Sequence, residues 1–392
     1  MDVVKKVKEI EDQIIGWRRD LHRIPEIGFE LPRTTAYVKK VLDEIGVEYE
    51  ELLDGSALVG FIKGGQKGRT IALRADMDGL PMKEDTGLSF SSETGNMHAC
   101  GHDGHTAMLL GAAKVLQDNS ELLKGNVKLF FQPAEESPGG ALPMIEAGVM
   151  ENPKVDAVIG LHNGNLHRDL PSGTIGVKYG PMMASADRFT IKVKGRGSHG
   201  AYPEDSVDPI VVSAQIITAL QTLVSRETPA IDPVVVTIGQ INGGQSMNII
   251  PEEVVMKGTV RTFNNETRKK TARRMEELVQ GIALAMRAKA ELDYEFKYPP
   301  LINSDDFTDF FIESAKKVMQ EDRIIHLKDP VMGAEDMSYF LEKAPGTYIF
   351  LSNPRPIDGE VFPHHNQKFD LDESLFYLGS SLFVQTVLDY LV

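Results

Sequence analysis

Cysteine is almost absent from this chain of 392 residues, which contains only one. A single cysteine excludes an internal disulfide framework, and we therefore expect the protein to work in a reducing compartment, the cytoplasm. No apolar run approaches the roughly 18 residues that a membrane span needs. The charged N-terminal segment has no apolar core or cleavage site of a signal peptide. Neither a membrane partner nor secretion is expected.

Basic residues are also in deficit, with 42 Lys and Arg against 57 Asp and Glu and a formal net charge of −15. Proteins that bind nucleic acids usually carry basic patches that neutralise phosphates, so a nucleic-acid partner is not expected. Internal repeats and low-complexity segments are absent as well. At this length a single core usually stops growing, and two domains are expected.

Helical and strand patterns alternate in the first half of the chain, which is typical of an α/β sheet covered by helices. Helices are predicted at 3–22, 32–46, 104–118 and 139–149, and strands at 57–62, 70–73, 127–131 and 155–160. Ligands of such sheets bind beyond the carboxyl ends of the strands. The candidate site residues of this half each follow a predicted strand: Asp76, Asp78, Glu135, Glu136 and His162.

The pattern changes between residues 186 and 297, where the predicted order is β-α-β-β-α-β. This order is the split βαβ plan of a small separate domain. After it the α/β alternation resumes, with helices predicted at 306–320 and 373–391. The sequence therefore predicts a discontinuous main domain, 1–185 and 298–392, with a second domain, 186–297, inserted into it.

The only cysteine lies in the segment 97–105, together with three histidines. Cys100 and His102 are separated by Gly101, which lets a loop turn both side chains toward one metal ion. A buried helix is predicted to open at Gly104, so the cluster would lie on a loop entering that helix. A lone cysteine is usually a small buried hydrophobe, but the neighbouring histidines favour a metal site.

Further candidate ligands lie on other segments. Glu135 and Glu136 are adjacent carboxylates that point in different directions, so one can bind a metal while the other faces a bound water as a general base. His162 closes the next predicted strand, and His365 belongs to a histidine pair before the C-terminal helix. The N/S/O set suits Zn²⁺, Mn²⁺, Co²⁺ or Ni²⁺ better than Mg²⁺ or Ca²⁺: Cys100, His102, Glu136, His162 and His365.

Several polar residues could support such a site. Asp76 and Asp78 are two residues apart at a strand end, which suits the orientation of metal-binding histidines. In the inserted domain a glycine-rich turn presents His199, and Asn248 and Arg261 follow it. Taken singly, His199 could equally belong to a plain turn, and Asn248 and Arg261 are better interpreted as surface residues.

A series of motifs resembles that of the aminoacylase/carboxypeptidase metallohydrolases. The resemblance is stronger to the amidohydrolase branch with hippurate hydrolases, N-acetyldiaminopimelate deacetylases and indoleacetyl-amino-acid hydrolases. It runs from Trp17 to the C-terminal helix and is carried, in order, by MHACGHDGH, FQPAEE, GLHN, GSHGAYPEDSVDPI, NIIPEEVVMKGTVRTF, GAEDMSYF and HHNQKFD. Gln367 departs from the pattern, since relatives often carry proline there. Gln367 lies two residues after His365, so the departure concerns the shape of that loop and not metal binding by His365.

The resemblance implies an α/β fold with a mixed-sheet, three-layer (phosphorylase/hydrolase-like) catalytic domain and an inserted α+β, ferredoxin-like lid and dimerisation domain. It also implies two divalent ions per subunit, zinc or manganese first and cobalt or nickel next. Cys100 would bridge the ions in this branch, where other branches use aspartate. Glu135 would be the general base, and Asp78 would belong to the catalytic machinery.

The same resemblance assigns substrate contacts to the inserted domain. His199, Asn248 and Arg261 would bind the substrate, with Arg261 and Asn248 together at the α-carboxylate of the amino acid. His199 would reach the active site of the partner subunit in a homodimer. The expected reaction is the cleavage of the amide bond of an N-acyl-L-amino acid, which releases a carboxylic acid and a free amino acid.

Other activities remain open on the sequence. Within the family they are N-acetyldiaminopimelate deacetylation and carboxypeptidase action on short peptides. Outside it, Cys100 could be the nucleophile of a cysteine hydrolase, which chelation should leave active. A non-enzymatic metal-binding protein is a further alternative, but such a protein has no use for the carboxylate of Glu135 beside its ligands.

Overall fold

A computed structural model describes residues 1–392, which divide into two compact units. The larger unit comprises Met1–Gly180, Ile302–Asp329 and Asp336–Val392, and the smaller unit comprises Pro181–Leu301 and Pro330–Glu335. The sequence prediction for the inserted domain, 186–297, starts and ends a few residues inside the main stretch of the smaller unit. The short segment 330–335 is not part of that prediction.

Ten α-helices and sixteen strands make up the two units. The helices α1 to α10 are Val3–Lys8, Glu11–His22, Pro32–Ile45, His102–Gln117, Ala141–Glu146, Pro209–Thr222, Asn265–Ala285, Asp305–Ala315, Ser338–Leu341 and Phe376–Leu391. The strands β1 to β16 are Glu48–Leu52, Ala57–Lys63, Gln66–Asp76, Lys124–Gln132, Ala157–Gly164, Ile175–Val177, Gly180–Met183, Asp187–Lys194, Ser198–His199, Val234–Gly243, Ile249–Ile250, Glu253–Thr262, Lys289–Phe296, Leu301–Asn303, Ile324–His326 and Gly346–Ser352.

The larger unit is built on an eight-stranded mixed sheet with the order β1-β2-β4-β3-β5-β16-β6-β15. Its four central strands, β4, β3, β5 and β16, are parallel, whereas β1 and β2 are antiparallel additions at one edge. Parallel strands buried on both faces read as continuous apolar runs, and β5 and β16 are buried along their whole length. The carboxyl ends of the central strands therefore meet at one edge of the sheet.

Helices cover both faces of this sheet. On one face α4 packs against β3, α2 and α10, and most of its residues are buried, which explains why it is apolar nearly all round. On the other face the ring of Phe340 in α9 lies 5.2 Å from that of Phe130 in β4. Because the two faces of the sheet are each covered by helices, the unit has three layers, and the predicted fold class is confirmed.

The smaller unit has a four-stranded antiparallel sheet with the order β10-β12-β8-β13. Strand β8 alternates between buried and more exposed residues, so one face of the sheet is apolar. That face shares a core with α6 and α7, in which Ile191, Ile216 and Met275 are fully buried. Apart from β9 and β11, which pair with each other in a separate two-stranded sheet, the order along the chain is β8-α6-β10-β12-α7-β13, the order of the split βαβ plan.

Several element boundaries differ from the sequence prediction, two of them near the candidate site or the N-terminus. The helix predicted at 3–22 is interrupted at Glu9 and Ile10, where Ile10 leaves the helical conformation with φ −119° and ψ 15°. The helix predicted to open at Gly104 begins at His102. No helix of the protein is long and apolar enough to cross a bilayer.

Candidate metal centre

The ends of neighbouring parallel strands bring the acidic candidate residues together. Asp76 is the last residue of β3, and Glu135 and Glu136 follow the neighbouring strand β4. On the other side of β3, His162 lies inside β5 rather than after it, because that strand runs on to Gly164. The structure therefore places the residues of these three strands at one edge of the sheet, as expected for α/β proteins.

The start of α4 brings the cysteine and a histidine to the same edge. Gly101 precedes the helix with φ +85°, a left-handed conformation that lets the chain turn between Cys100 and His102. A β-carbon at Gly101 would lie 2.3 Å from the side-chain oxygen of Asn163, so a larger residue has no space there. Asn163 also donates through Nδ2 to the carbonyl of Gly101 at 3.3 Å. Glycine is therefore required by both conformation and packing.

Two groups of three potential metal ligands share the thiol of Cys100. One group is Cys100, His102 and His162, and the other is Cys100, Glu136 and His365, with the ligand atoms of each group within 4.8 Å of one another. The Cys100 sulfur lies 3.5 Å from Nε2 of His162, and Nε2 of His365 lies 3.0 Å from Oε1 of Glu136. A shared thiol between two groups is the arrangement that a bridging ligand requires.

The two buried histidines of the first group point the same ring nitrogen into the cluster. Nδ1 of His102 donates to the carbonyl of Asp78 at 2.9 Å, and Nδ1 of His162 donates to the carbonyl of Asn163 at 2.8 Å. Because Nδ1 carries the proton in each ring, the lone pair of the neutral ring lies on Nε2. Fixing the tautomer in this way prepares imidazoles for metal binding.

Asp78 orients the glutamate pair. Its Oδ1 accepts from the backbone N–H of Glu135 at 3.0 Å, and its Oδ2 accepts from that of Glu136 at 3.1 Å. Ala134, just before them, adopts a left-handed conformation with φ 57°, which residues other than glycine rarely hold. The strained turn and the carboxylate of Asp78 together fix the directions in which the two glutamates leave the chain.

Asp76 belongs to a second set of contacts that the sequence did not predict in full. Its Oδ1 accepts from Nδ1 of His105 at 2.6 Å, and Nε2 of that ring accepts from the backbone N–H of Asn163 at 2.9 Å. Arg74 forms an ion pair with Oδ2 of Asp76 at 2.7 Å and donates to Asp336 at 2.9 Å. The sequence contains one indication of these contacts, which is a charged residue, Arg74, within an apolar strand.

The charges of the site fit divalent cations. Burial opposes a charged His102 ring, but Asp76, Asp78 and Glu136 outweigh it and raise the pKa of His102 to about 10. Burial and the carboxylates of Glu136, Glu135 and Asp76 hold the pKa of the Cys100 thiol well above its usual value. Such a pocket requires cations before the thiolate can form, and thiolate, imidazole and carboxylate together suit Zn²⁺ or Mn²⁺.

Not every histidine of the region belongs to these groups. His98, the third histidine of the cysteine segment, is buried, but it is in none of the groups that could hold a metal. Burial lowers its pKa to about 4, which keeps the ring neutral. His365, in contrast, is exposed and has a left-handed φ of 63°. It therefore marks the open side of the cluster.

The smaller unit places the other three predicted residues at two separate positions. His199 in β9 is exposed, and its Nδ1 accepts from the N–H of Ala201 at 3.1 Å, which leaves the Nε2 proton available for donation. Asn248 is next to it, since the Asn248 carbonyl accepts from the N–H of Gly200 at 2.8 Å. Arg261 lies near the far end of β12 and donates to the carbonyl of Val260 at 3.1 Å.

The sequence pattern of peptidase family M20/M25/M40 matches residues 72–389. The chain belongs to this family. Among solved structures, the M20 protein YXEP of Bacillus subtilis, described as a dinuclear metal-binding peptidase, is similar to it with a TM-score of 0.85 and 36% identity, covering 98% of this chain and 99% of that one.

Curated M20 relatives match along nearly their whole length. Thermostable carboxypeptidase 1 of Saccharolobus solfataricus is 42% identical over 97% of both chains. N-acetyl-L-cysteine deacetylase of Bacillus subtilis is 42% identical over 95% of this chain and 86% of that one. Hippurate hydrolase of Campylobacter jejuni is 37% identical over 100% of both chains. The predicted family is confirmed, and the protein is a metal-dependent hydrolase of amide bonds.

Proposed function

We propose that this M20 protein hydrolyses N-acyl-L-amino acids at their amide bond and releases a carboxylic acid and a free amino acid. The observation that carries the proposal is the pair of ligand groups sharing Cys100, with the carboxylate of Glu135 in a further group with His102 and Glu136. Relatives named for the hydrolysis of hippurate and the deacetylation of N-acetyl-L-cysteine support this substrate class. We assign Cys100, His102, Glu136, His162 and His365 as the ligands of two divalent ions.

The chain itself would handle the protons. When bound, the two ions supply Lewis-acid polarisation of the substrate carbonyl and acidify the attacking water. Glu135 accepts a proton from that water and delivers it to the leaving amine, the role of a general base that then acts as a general acid. Asp78 holds the backbone of Glu135 at 3.0 Å, so the carboxylate is already directed before substrate arrives.

Recognition of the amino-acid half falls to the smaller unit. Arg261 would bind the α-carboxylate, for which a planar guanidinium is suited. His199, with its Nε2 proton, would donate to the carbonyl oxygen as negative charge develops on it. Asn248 would add an amide donor beside His199.

These three residues lie toward opposite ends of β12 in the smaller unit, with His199 and Asn248 beyond its Glu253 end and Arg261 near its other end. Lys194, which leads to His199, pairs with Glu253, whereas Arg261 lies eight residues farther along β12. At a rise of about 3.3 Å per residue, the backbone from Glu253 to Arg261 spans roughly 26 Å, which is longer than a small N-acyl amino acid. We therefore propose a homodimer in which Arg261 serves one active site while His199 and Asn248 serve that of the partner. Arg261 and Asn248 of one chain would not share a carboxylate.

A carboxypeptidase activity on short peptides is the second candidate, favoured by the relatives of that name. Both reactions cleave an amide bond next to a free α-carboxylate, so the same Arg261 would recognise either substrate. A cysteine hydrolase is disfavoured by the structure, because burial and three carboxylates raise the pKa of Cys100 and suppress the nucleophilic thiolate. The dependence on a reduced Cys100 thiol also favours the cytoplasm as the site of action.

The test is a substrate screen with the protein loaded with Mn²⁺, Zn²⁺ or Co²⁺. The panel holds N-acetyl and N-benzoyl amino acids, dipeptides, and the same compounds with the α-carboxylate converted to an amide. We expect hydrolysis of the N-acyl amino acids and a large loss of kcat/KM on amidation, which Arg261→Ala should reproduce with the parent compounds. Hydrolysis of dipeptides alone would favour the carboxypeptidase. No hydrolysis with any ion would contradict the proposal.

A further inference from the structure

The side chain of Arg18 in α2 lies at the centre of an ionic network that is separate from the ligand groups. Although its side chain is only 1% exposed, it contacts three carboxylates. Nε donates to Asp103 at 2.8 Å, Nη1 to Glu373 at 3.1 Å and Nη2 to Asp370 at 3.2 Å. The ring of Phe90 lies 4.9 Å from its guanidinium carbon. One buried guanidinium thus joins three separate segments of the larger unit.

His22, one turn farther along α2, extends the network. Its Nδ1 contacts Asp103 at 2.7 Å and its Nε2 contacts Glu84 at 3.2 Å. Because a carboxylate faces each ring nitrogen, both must donate, and the ring is an imidazolium. Burial and Arg18 oppose that charge, but Asp103 and Glu84 outweigh them and raise the pKa of His22. Oε2 of Glu84 accepts from the N–H of Ser92 at 2.7 Å, which ties in the loop before the cysteine segment.

The network meets the metal centre at two places along the chain. Asp103 directly follows His102 in the first turn of α4, and Asp370 comes five residues after His365. The backbone N–H of His365 donates to the carbonyl of Ala99 at 2.9 Å, so the two segments also touch each other. A guanidinium and an imidazolium on α2 therefore hold the two loops that carry Cys100, His102 and His365.

We propose that Arg18 and His22 are positioning residues that set the spacing of the ligand atoms around the two ions. This inference rests on the proposed ligand set. An ordinary buried ion cluster would affect only the stability of the fold. A positioning network would also change the geometry and affinity of the metal centre, since partners behind the ligands typically alter affinity or activity by about 10- to 100-fold.

The experiment compares Arg18→Lys and His22→Gln with the matched control Arg268→Lys. Arg268 is also a buried guanidinium, bound through two nitrogens to Asp187, but it lies in the smaller unit. Lysine keeps the charge in both positions but loses the planar fork. For each protein, Tm is measured without metal, and Co²⁺ affinity and the Co²⁺ absorption spectrum are measured well below Tm.

We expect Tm to be lower in all three variants than in the wild-type protein. Only Arg18→Lys and His22→Gln should also show an altered Co²⁺ spectrum and a Co²⁺ affinity weakened about 10- to 100-fold. Wild-type spectra and affinities in both variants would overturn the inference while leaving the proposed function intact. If Arg18→Lys does not fold, the Co²⁺ affinity and spectrum of His22→Gln alone decide whether the network positions the ligands. Failure of the wild-type protein to bind Co²⁺ would instead contradict the proposed metal centre itself.

Discussion

Among single residues, Cys100 is the most important to the proposed metal centre, because both proposed ligand groups depend on its sulfur. Removing the thiol with Cys100→Ala should therefore weaken the binding of both ions at once. We expect a clear loss of bound metal and of activity, measured by metal analysis of the purified protein and by turnover. Cys100→Asp, which restores an anionic ligand, should retain more metal than the alanine variant. Full occupancy and turnover in Cys100→Ala would rule out the bridging role.

Glu135 separates proton transfer from metal binding. Glu135→Gln is nearly isosteric, so it should keep the fold and most of the bound metal while removing the group that carries the proton. We expect kcat to fall by several orders of magnitude. Metal content serves as the control, because loss of metal would offer a different explanation. A variant within tenfold of the wild-type kcat would show that Glu135 is not the general base.

At the scale of elements, the turn after β4 is held by one carboxylate. Asp78→Asn replaces one of its two oxygens with an amide nitrogen, which would face a backbone N–H of the glutamate pair and repel it. We expect roughly a 10- to 100-fold loss of activity, since the change acts through the orientation of Glu135 and Glu136. The control is Asp118→Asn, at an exposed pair at the end of α4. Unchanged turnover in Asp78→Asn would show that the turn keeps its shape without this carboxylate.

The sequence predicted those elements whose signals are local. Apolar runs predicted three of the four central strands, β3, β4 and β5, and the residues at or after their ends, Asp76, Asp78 and Glu135, meet because parallel strands end at one edge. The edge strand β1 and the buried strand β16 were not predicted. Strand β1 carries mostly polar residues. Strand β16 is a short apolar run, whose periodicity alone does not distinguish a buried strand from a buried helix.

Contacts between distant segments were the other missing part. The pairing of His105 with Asp76, and of Arg18 with Asp103, Asp370 and Glu373, joins residues far apart in the chain. Neither spacing nor periodicity carries such information. A buried charge in an apolar helix or strand, as at Arg18 and Arg74, is the available hint, since such groups are rarely buried without a partner.

At the scale of the whole molecule, the separation of His199 from Arg261 predicts catalysis across subunits. His199→Ala and Glu135→Gln should each be nearly inactive alone. After subunit exchange, half of the dimers in an equal mixture are heterodimers with one intact site of two, so activity should recover to at most about a quarter of wild type. The control is each variant mixed with itself.

Proven exchange without recovery would mean that His199 serves its own chain or is a turn residue. In that case the placement of His199 and Arg261 toward opposite ends of β12 would need another explanation. A protein that stays monomeric at working concentration and is fully active would contradict the homodimer directly.

We infer that two ions held around Cys100 support the hydrolysis of N-acyl amino acids. The most direct test is to titrate the metal-free protein with Mn²⁺ or Zn²⁺ and to measure product release against the number of ions bound per chain. We expect negligible hydrolysis without metal and an activity that rises until two ions are bound. Undiminished hydrolysis by the metal-free protein, or saturation at two ions without any product, would contradict it.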